Sequence, residues 1–358
     1  FMPQDAAFIY PLGEKSGLGP SPIDIPPGKS PKEVLQPGRG HSPTRGHGAA
    51  RPHHERAVHG LWGSWSPDKL SVVSANRSIV MDGRPVAQRI LHAVREKVNS
   101  LRSTTAVVPC LATILVGNNH SATAYVRAKR KRCEEVGVRS WTIELPVGTT
   151  TESVLGRVRE LAADPAVHAI LVQHPVPAPI DRRAVFEAIP LAKDIDAVSS
   201  AALGRVILGM PAYAPCTPLG IMRLLRAYDI MLEGMDAVVI GRSPILGRPM
   251  ASMLINAHAT VTLCHSHTRD LASIVRRADL VIAAVGRPRF IQGEWIKPGA
   301  VVIDAGYNEG NVGDVDFESA AARAGWITPV PGGVGPMTIA TLIDQTVDAT
   351  AAQLGVQL

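Results

Sequence analysis

Aromatic side chains make up only 4% of the 358 residues, too few for a surface that reads nucleic acid by stacking bases. Long apolar runs are missing: none reaches the roughly 18 residues of a membrane-spanning helix, so no transmembrane segment is expected. Cysteine is scarce, with Cys110, Cys133, Cys216 and Cys264 far apart and no C-x-x-C pair. That pattern gives no support to a zinc site or a disulfide framework. It fits reduced, partly buried thiols in a cytoplasm-like compartment. The net charge of +6 is spread along the chain rather than massed on one helix, which suits anionic small molecules as well as it suits nucleic acid. No repeat is visible beyond a recurring strand–helix pattern.

The hydrophobic content is 46% of the chain, enough for substantial cores, and the length leaves room for two domains. Residues 1–77 differ in kind from the rest. They are rich in Pro, Gly, Ser and His, hold no sustained period of 2 or 3.6, and lack the charged-then-apolar pattern of a signal peptide. They read as a low-complexity, disordered or loosely attached extension. From Ser78 onward, strands and helices alternate. Helices are expected over 81–101, 121–136, 151–162 (with Thr151 as N-cap), 183–189 and 218–228. Strands are expected over 111–116, 138–145 and 169–172. The spacing predicts an α/β fold with a parallel sheet.

The most informative stretch runs from Asp236 to Thr268. A β-branched run over 237–240 reads as a strand buried on both faces, followed by a glycine turn, a helix over 245–256 and a second strand over 260–263. A helix N-terminus behind a glycine turn offers free N–H groups and the positive end of the dipole to a phosphate. The turn, Gly241 to Pro249, is not the standard G-x-G-x-x-G: Ser243 stands at the second glycine and Gly247 lies one residue late. An ordinary tight connection is the alternative. The end of the second strand, Cys264-His265-Ser266-His267-Thr268, has no acid to accept a ribose 2′-hydroxyl. Arg242, Ser266 and His265 could instead hold a 2′-phosphate, which leans to NADP over NAD; for Arg242 the alternative is a solvated surface arginine. Further strands (280–285, 300–303), a helix over 269–278, the loop Pro329 to Pro336 and a last helix over 337–354 follow. Two α/β domains with a cleft between them are expected: 78–215, completed by the C-terminal helix 337–358, and a Rossmann-like domain over 216–336.

Six further residues are candidates for chemistry. Tyr125 and Lys129 lie one helical turn apart, and a lysine desolvated beside a phenol can move protons. Arg127, Arg130, Lys131 and Arg132 flank it, so a solvated basic face is the alternative. Gln173 ends a buried strand, where open parallel sheets bind ligands, or orders the proline-rich loop after it. Asp194 and Asp196 would face opposite ways in extended chain, so at most one enters a cleft; the other role is a helix cap. His174 reads as a loop histidine.

Seven stretches occur in one order: YVRAK (125–129), VQHP (172–175), KDID (193–196), PCTP (215–218), GRSPILGRPM (241–250), CHSHT (264–268) and PGGVGPMT (331–338). This set closely resembles the bifunctional methylenetetrahydrofolate dehydrogenase/methenyltetrahydrofolate cyclohydrolase family, from about residue 78 to the C-terminus. The resemblance implies an N-terminal folate-binding domain, an NADP-binding domain, and tetrahydrofolate one-carbon derivatives as substrates. It implies Lys129 as the catalytic lysine of the cyclohydrolase step, Tyr125 stacked near the folate, Gln173 tuning the lysine, and Asp196 on the pterin. Gly332 and Gly335 would shape the folate pocket, while Arg242, Ser243 and Ser266 would contact NADP with Gly241 and Gly247 giving backbone room. It also implies a homodimer paired through the cofactor domain. Three positions depart from the family's usual pattern: Ala122 for Ser, His174 for Leu and Ala197 for Gly. They suggest a diverged paralogue in which dehydrogenase activity is the firmer inheritance. The other readings are a different two-domain NADP dehydrogenase acting on a shikimate-like acid, and a non-enzymatic protein working through its His-rich N-terminal arm.

Overall fold

The computed structural model describes residues 78–117 and 120–358. The expected extension over 1–77 lies outside them. In chain order the elements are β1 (Ile79–Val80), α1 (Gly83–Thr105), β2 (Cys110–Val116), α2 (His120–Val136), β3 (Arg139–Leu145), α3 (Thr151–Ala163) and β4 (Ala169–Val172). Then come α4 (Arg182–Glu187), α5 (Ser200–Ile207) and α6 (Cys216–Ala227). The second half holds β5 (Asp236–Ile240), α7 (Gly247–Asn256), β6 (Thr260–Cys264), α8 (Leu271–Val275), β7 (Leu280–Ala283), β8 (Val301–Asp304), α9 (Phe317–Ala321), β9 (Trp326–Ile327) and α10 (Val334–Leu354).

The strands form two parallel sheets, three-stranded β3-β2-β4 and six-stranded β1-β9-β8-β7-β5-β6. Strands β2, β4, β7 and β8 are buried along their whole length. This is why they read as continuous apolar runs rather than alternating ones. From β5 the chain passes to β6 on one side and then returns to β7 on the other. That reversal opens a crevice outside the carboxyl ends of β5 and β7, where doubly wound sheets bind ligands.

Helices α1, α6 and α10 unite the two sheets. Val86, Ile221, Leu225, Met337 and Ala340 share a core with β5, β7 and β8. Val94, Val98, Leu342, Ile343 and Val347, on the same α1 and α10, share another with β2 and β4. A half-buried ion network centred on buried Asp344 clamps the three helices: Lys97 Nζ lies 2.8 Å from Asp344 and 2.7 Å from Asp348, and Arg223 Nη2 lies 2.7 Å from Asp344.

Several boundaries differ from the sequence reading. The N-cap of α3 is Thr150, not Thr151: Thr150 holds extended backbone and its Oγ1 accepts from the Ser153 N–H, whereas Thr151 is already helical. The expected helix over 269–278 shortens to α8, which starts behind Asp270 in a left-handed conformation (φ 46°). Helices α5 and α9 and the two-residue strands β1 and β9 were not expected, being too short to show a period.

Candidate functional site

Helix α2 carries Tyr125 and Lys129 on one face because they are four residues apart. The face is turned inward. Lys129 is only 5% exposed, although its neighbours Arg127, Arg130, Lys131 and Arg132 lie in water. Its Nζ stands 4.6 Å from the centre of the Tyr125 ring and donates to Gln173 Oε1 at 2.7 Å. Burial therefore lowers the ammonium from its ordinary range to about 8, against a smaller opposing pull from the Asp196 carboxylate. The solvated-face alternative for Lys129 does not hold. Burial likewise pushes the Tyr125 phenol up, while Thr338 of α10 hydrogen-bonds it. Thr338 Oγ1 also donates to Thr217 Oγ1 at 3.2 Å, so α2, α6 and α10 meet at this point.

Gln173 follows β4, its N–H donating to Ile114 O. Its side chain is fixed at both ends: Oε1 on Lys129, and Nε2 donating to His174 O at 2.7 Å. The two aspartates separate as their spacing demands. Asp194 is 1% exposed and accepts from the N–H groups of Val198 and Ser199, a purely structural task. Asp196 accepts from the Cys216 N–H at 2.7 Å, setting a carboxylate on the N-terminus of α6 close enough to attract Lys129. Burial outweighs these contacts and raises its carboxyl.

The three departing positions are apolar or neutral in place. Ala122 is buried with Leu115 and Val126. Ala197 is 1% exposed and held at φ 47°, a conformation that favours glycine. The His174 ring lies 5.2 Å from that of Phe186 and its Nε2 has no hydrogen-bond partner among the described residues. Burial and the charges of Arg182 and Lys129 push it down to about 4, so it stays neutral.

Gly332, at φ 115°, presents its carbonyl to the Gly83 N–H at 2.9 Å, and the loop closes against the start of α1. Gly335 is exposed in the first turn of α10 with open space where a Cβ would stand.

At the switch-point crevice, Gly241 leaves β5 at φ 123° and a Cβ there would meet Ala284 O at 2.1 Å. A Cβ on Gly247 would meet Gly241 O at 1.8 Å. The two glycines thus let the first turn of α7 pack directly on the end of β5. Ser243, in place of the middle glycine, accepts from the N–H groups of Leu246 and Gly247 through Oγ and closes the turn. Arg242 is exposed beyond β5, and Ser266 is exposed beyond the neighbouring β6. His265 Nδ1 accepts from the His267 N–H. This cradle fits a dinucleotide: a glycine turn, a helix N-terminus, and an arginine and a serine with no carboxylate among them.

Sequence reasoning missed Gln345. Buried in α10, its Nε2 donates to Ile195 O and Ala214 O while Oε1 accepts from the Ala214 N–H, so it fixes the loops on either side of Asp196. A run of three polar residues (Asp344, Gln345, Thr346) between the apolar pair Leu342–Ile343 and Val347 was the available signal.

A buried lysine–glutamine pair together with a doubly wound sheet of the dinucleotide-binding kind fits an NAD(P)-linked enzyme with a second, proton-transferring chemistry. Residues 81–196 match the family model for the tetrahydrofolate dehydrogenase/cyclohydrolase catalytic domain, and residues 215–354 match the model for its NAD(P)-binding domain. Bifunctional protein FolD 1 of Streptomyces avermitilis is 56% identical over 278 residues, covering 78% of this chain and 97% of that relative. The crystal structure of the bifunctional FolD enzyme from Campylobacter jejuni is 43% identical with a TM-score of 0.75, covering 77% of this chain and 99% of that one. The Trypanosoma brucei enzyme, solved with NADP and an inhibitor, is 38% identical with a TM-score of 0.76, covering 78% of this chain and 99% of its own. The chain belongs to the tetrahydrofolate dehydrogenase/cyclohydrolase family. It is an NAD(P)-linked tetrahydrofolate dehydrogenase and cyclohydrolase.

Proposed function

We propose that both reactions run in one groove, with the folate held among Tyr125, Gln173, Asp196 and the Gly332–Gly335 loop. The observation that carries this reading is the Lys129–Gln173 pair at 2.7 Å, buried against Tyr125. The Tyr125 ring offers a flat face to the pterin, and Asp196 offers a carboxylate to its N–H groups. NADP, when bound, accepts the hydride from the methylene carbon. No side chain must supply a proton to that step, so the protein's task is to hold the two reactants in contact.

Hydrolysis makes a different demand. Water must add to the methenyl carbon and give up a proton as the new C–O bond forms. Neutral Lys129 takes that proton at Nζ, with the Gln173 oxygen keeping the amine aimed, and returns it to N5 as the carbon–N5 bond breaks and the carbinol O–H proton leaves to solvent, so the carbon remains on N10 as the formyl group. A cationic methenyl group beside Nζ lowers its proton affinity further and favours the neutral form. On the cofactor side, Gly241 and Gly247 let the pyrophosphate approach the first turn of α7. The Ser243 hydroxyl donates to a phosphate, and Arg242 with Ser266 holds the 2′-phosphate.

We further infer a homodimer joined through the cofactor domain, and residence in a reducing, cytoplasm-like compartment. Buried free thiols at Cys110, Cys133, Cys216 and Cys264 support the compartment. The functional domains span 78–215 with the helix from 337 onward, and 216–336. The test is Lys129→Met, assayed for hydride transfer by NADPH absorbance and for hydrolysis by methenyl absorbance. Hydrolysis should vanish while hydride transfer is partly kept; equal collapse of both in a folded variant would make Lys129 a binding residue.

A further inference from the structure

The crevice at the switch point has two walls. One is the Gly241 turn. The other is the segment after β7, Ala284 to Arg287, joined to the first where Ala284 N–H donates to Ile240 O at 2.8 Å. This second wall is held by one carboxylate. Asp314 is 0% exposed. Its Oδ2 accepts from the N–H groups of Val285 (2.6 Å) and Gly286 (2.9 Å), and its Oδ1 from the Arg287 N–H (2.9 Å) and Asn308 Nδ2 (3.0 Å).

Three successive N–H groups converging on one anion form a nest that only a charged acceptor satisfies in full. Asp314 is itself placed by a second buried carboxylate. Asp304, at the end of β8, accepts from the N–H groups of Asp314 and Val315 as well as Gly306. The fit leaves no slack: a Cβ on Gly306 would meet Asp314 Cγ at 2.2 Å, and one on Gly313 would meet Asp304 Oδ2 at 1.9 Å. Two carboxylates buried side by side disfavour one another, so this is a costly way to close an ordinary loop. Its position at the carboxyl ends of β7 and β8 gives the cost a purpose.

We propose that Asp314 is a positioning residue of the NADP site. Through the nest it fixes the Val285–Arg287 backbone as the crevice wall opposite the Gly241 turn. Asn308 extends the same hold to the loop after β8. This rests on the assignment of NADP to the β5–β7 crevice.

The test is Asp314→Asn. One amide oxygen replaces two carboxylate oxygens, and the amide N–H₂ confronts N–H donors, so the wall loosens. The KM for NADP should rise about tenfold or more. Hydrolysis of methenyl substrate added without cofactor should stay within about twofold, because that step uses the other end of the groove. Asn308→Ala removes one of the four bonds and should raise the same KM by about threefold; it decides the matter if Asp314→Asn does not fold. An unchanged KM for NADP in both variants overturns the proposal, as does an equal fall in both activities. Arg242→Ala in parallel separates the two levels. If it raises the NADP KM while the other variants do not, only the role of Asp314 fails. If it too has no effect, the crevice is not the NADP site.

Discussion

Replacing Gln173 by glutamate tests the proton chemistry most directly, because it puts a carboxylate in place of the amide whose oxygen lies 2.7 Å from Lys129 Nζ, at the cost of the hydrogen bond from Nε2 to His174 O. Burial holds Lys129 at about 8 in place of 10.5. At pH 7.5 about a quarter of it is then neutral, where an ordinary lysine would be neutral about once in a thousand molecules. A carboxylate at 173 favours the ammonium and returns the lysine upward by about one to three pH units. The neutral fraction at pH 7.5 falls by about tenfold at the low end and several hundredfold at the high end. The sign is fixed by the role: the neutral amine is the active form, so hydrolysis is lost as pH drops through the lysine's value. The assay is the hydrolysis rate against pH, corrected for the uncatalysed reaction. The wild type should show a limb near pH 8 that moves up in Gln173→Glu. Gln173→Leu, which removes the acceptor, should move it down. Hydride transfer at saturating NADP should change by less than about threefold in either variant. A limb that stays in place in Gln173→Glu, or a rate that rises with acidity, would refute neutral Lys129 as the proton acceptor.

Three other outcomes follow from named contacts. Arg242→Ala should weaken NADP far more than NAD, read as the ratio of the two kcat/KM values; an unchanged ratio defeats the 2′-phosphate assignment. Gly247→Ala drives a Cβ into Gly241 O and should cost about 3 kcal/mol in chemical denaturation, together with the affinity for NADP. Lys193, 8% exposed, donates to the carbonyls of Leu161, Ala162 and Asp164 at the end of α3. Lys193→Met orphans those acceptors and should lower stability by about 2 kcal/mol without changing the NADP/NAD ratio.

The sequence by itself determined the alternation of strands and helices, because strands buried on both faces are continuous, mostly apolar runs and the helices between them keep a 3.6 period. It determined the cofactor turn as well. Gly241, Ser243 and Gly247 act on neighbours within a few residues, and the missing acid after β6 is visible without a fold. Short pieces escaped it: β1 exists only because β9 pairs with it at the sheet edge across more than 200 residues of chain, and β9 is itself held by β8. Tertiary structure alone decided which charges are sheltered. In the sequence Lys129 is one cation among five on a basic helix; packing of α2 against α6, α10 and β4 takes it out of water and moves its proton equilibrium. Likewise Asp314 is an ordinary acid in a glycine-rich loop until the sheet brings three N–H groups of another loop onto it. Local pattern fixes local geometry, but desolvation and converging partners depend on segments far apart in the chain, and those quantities set the chemistry.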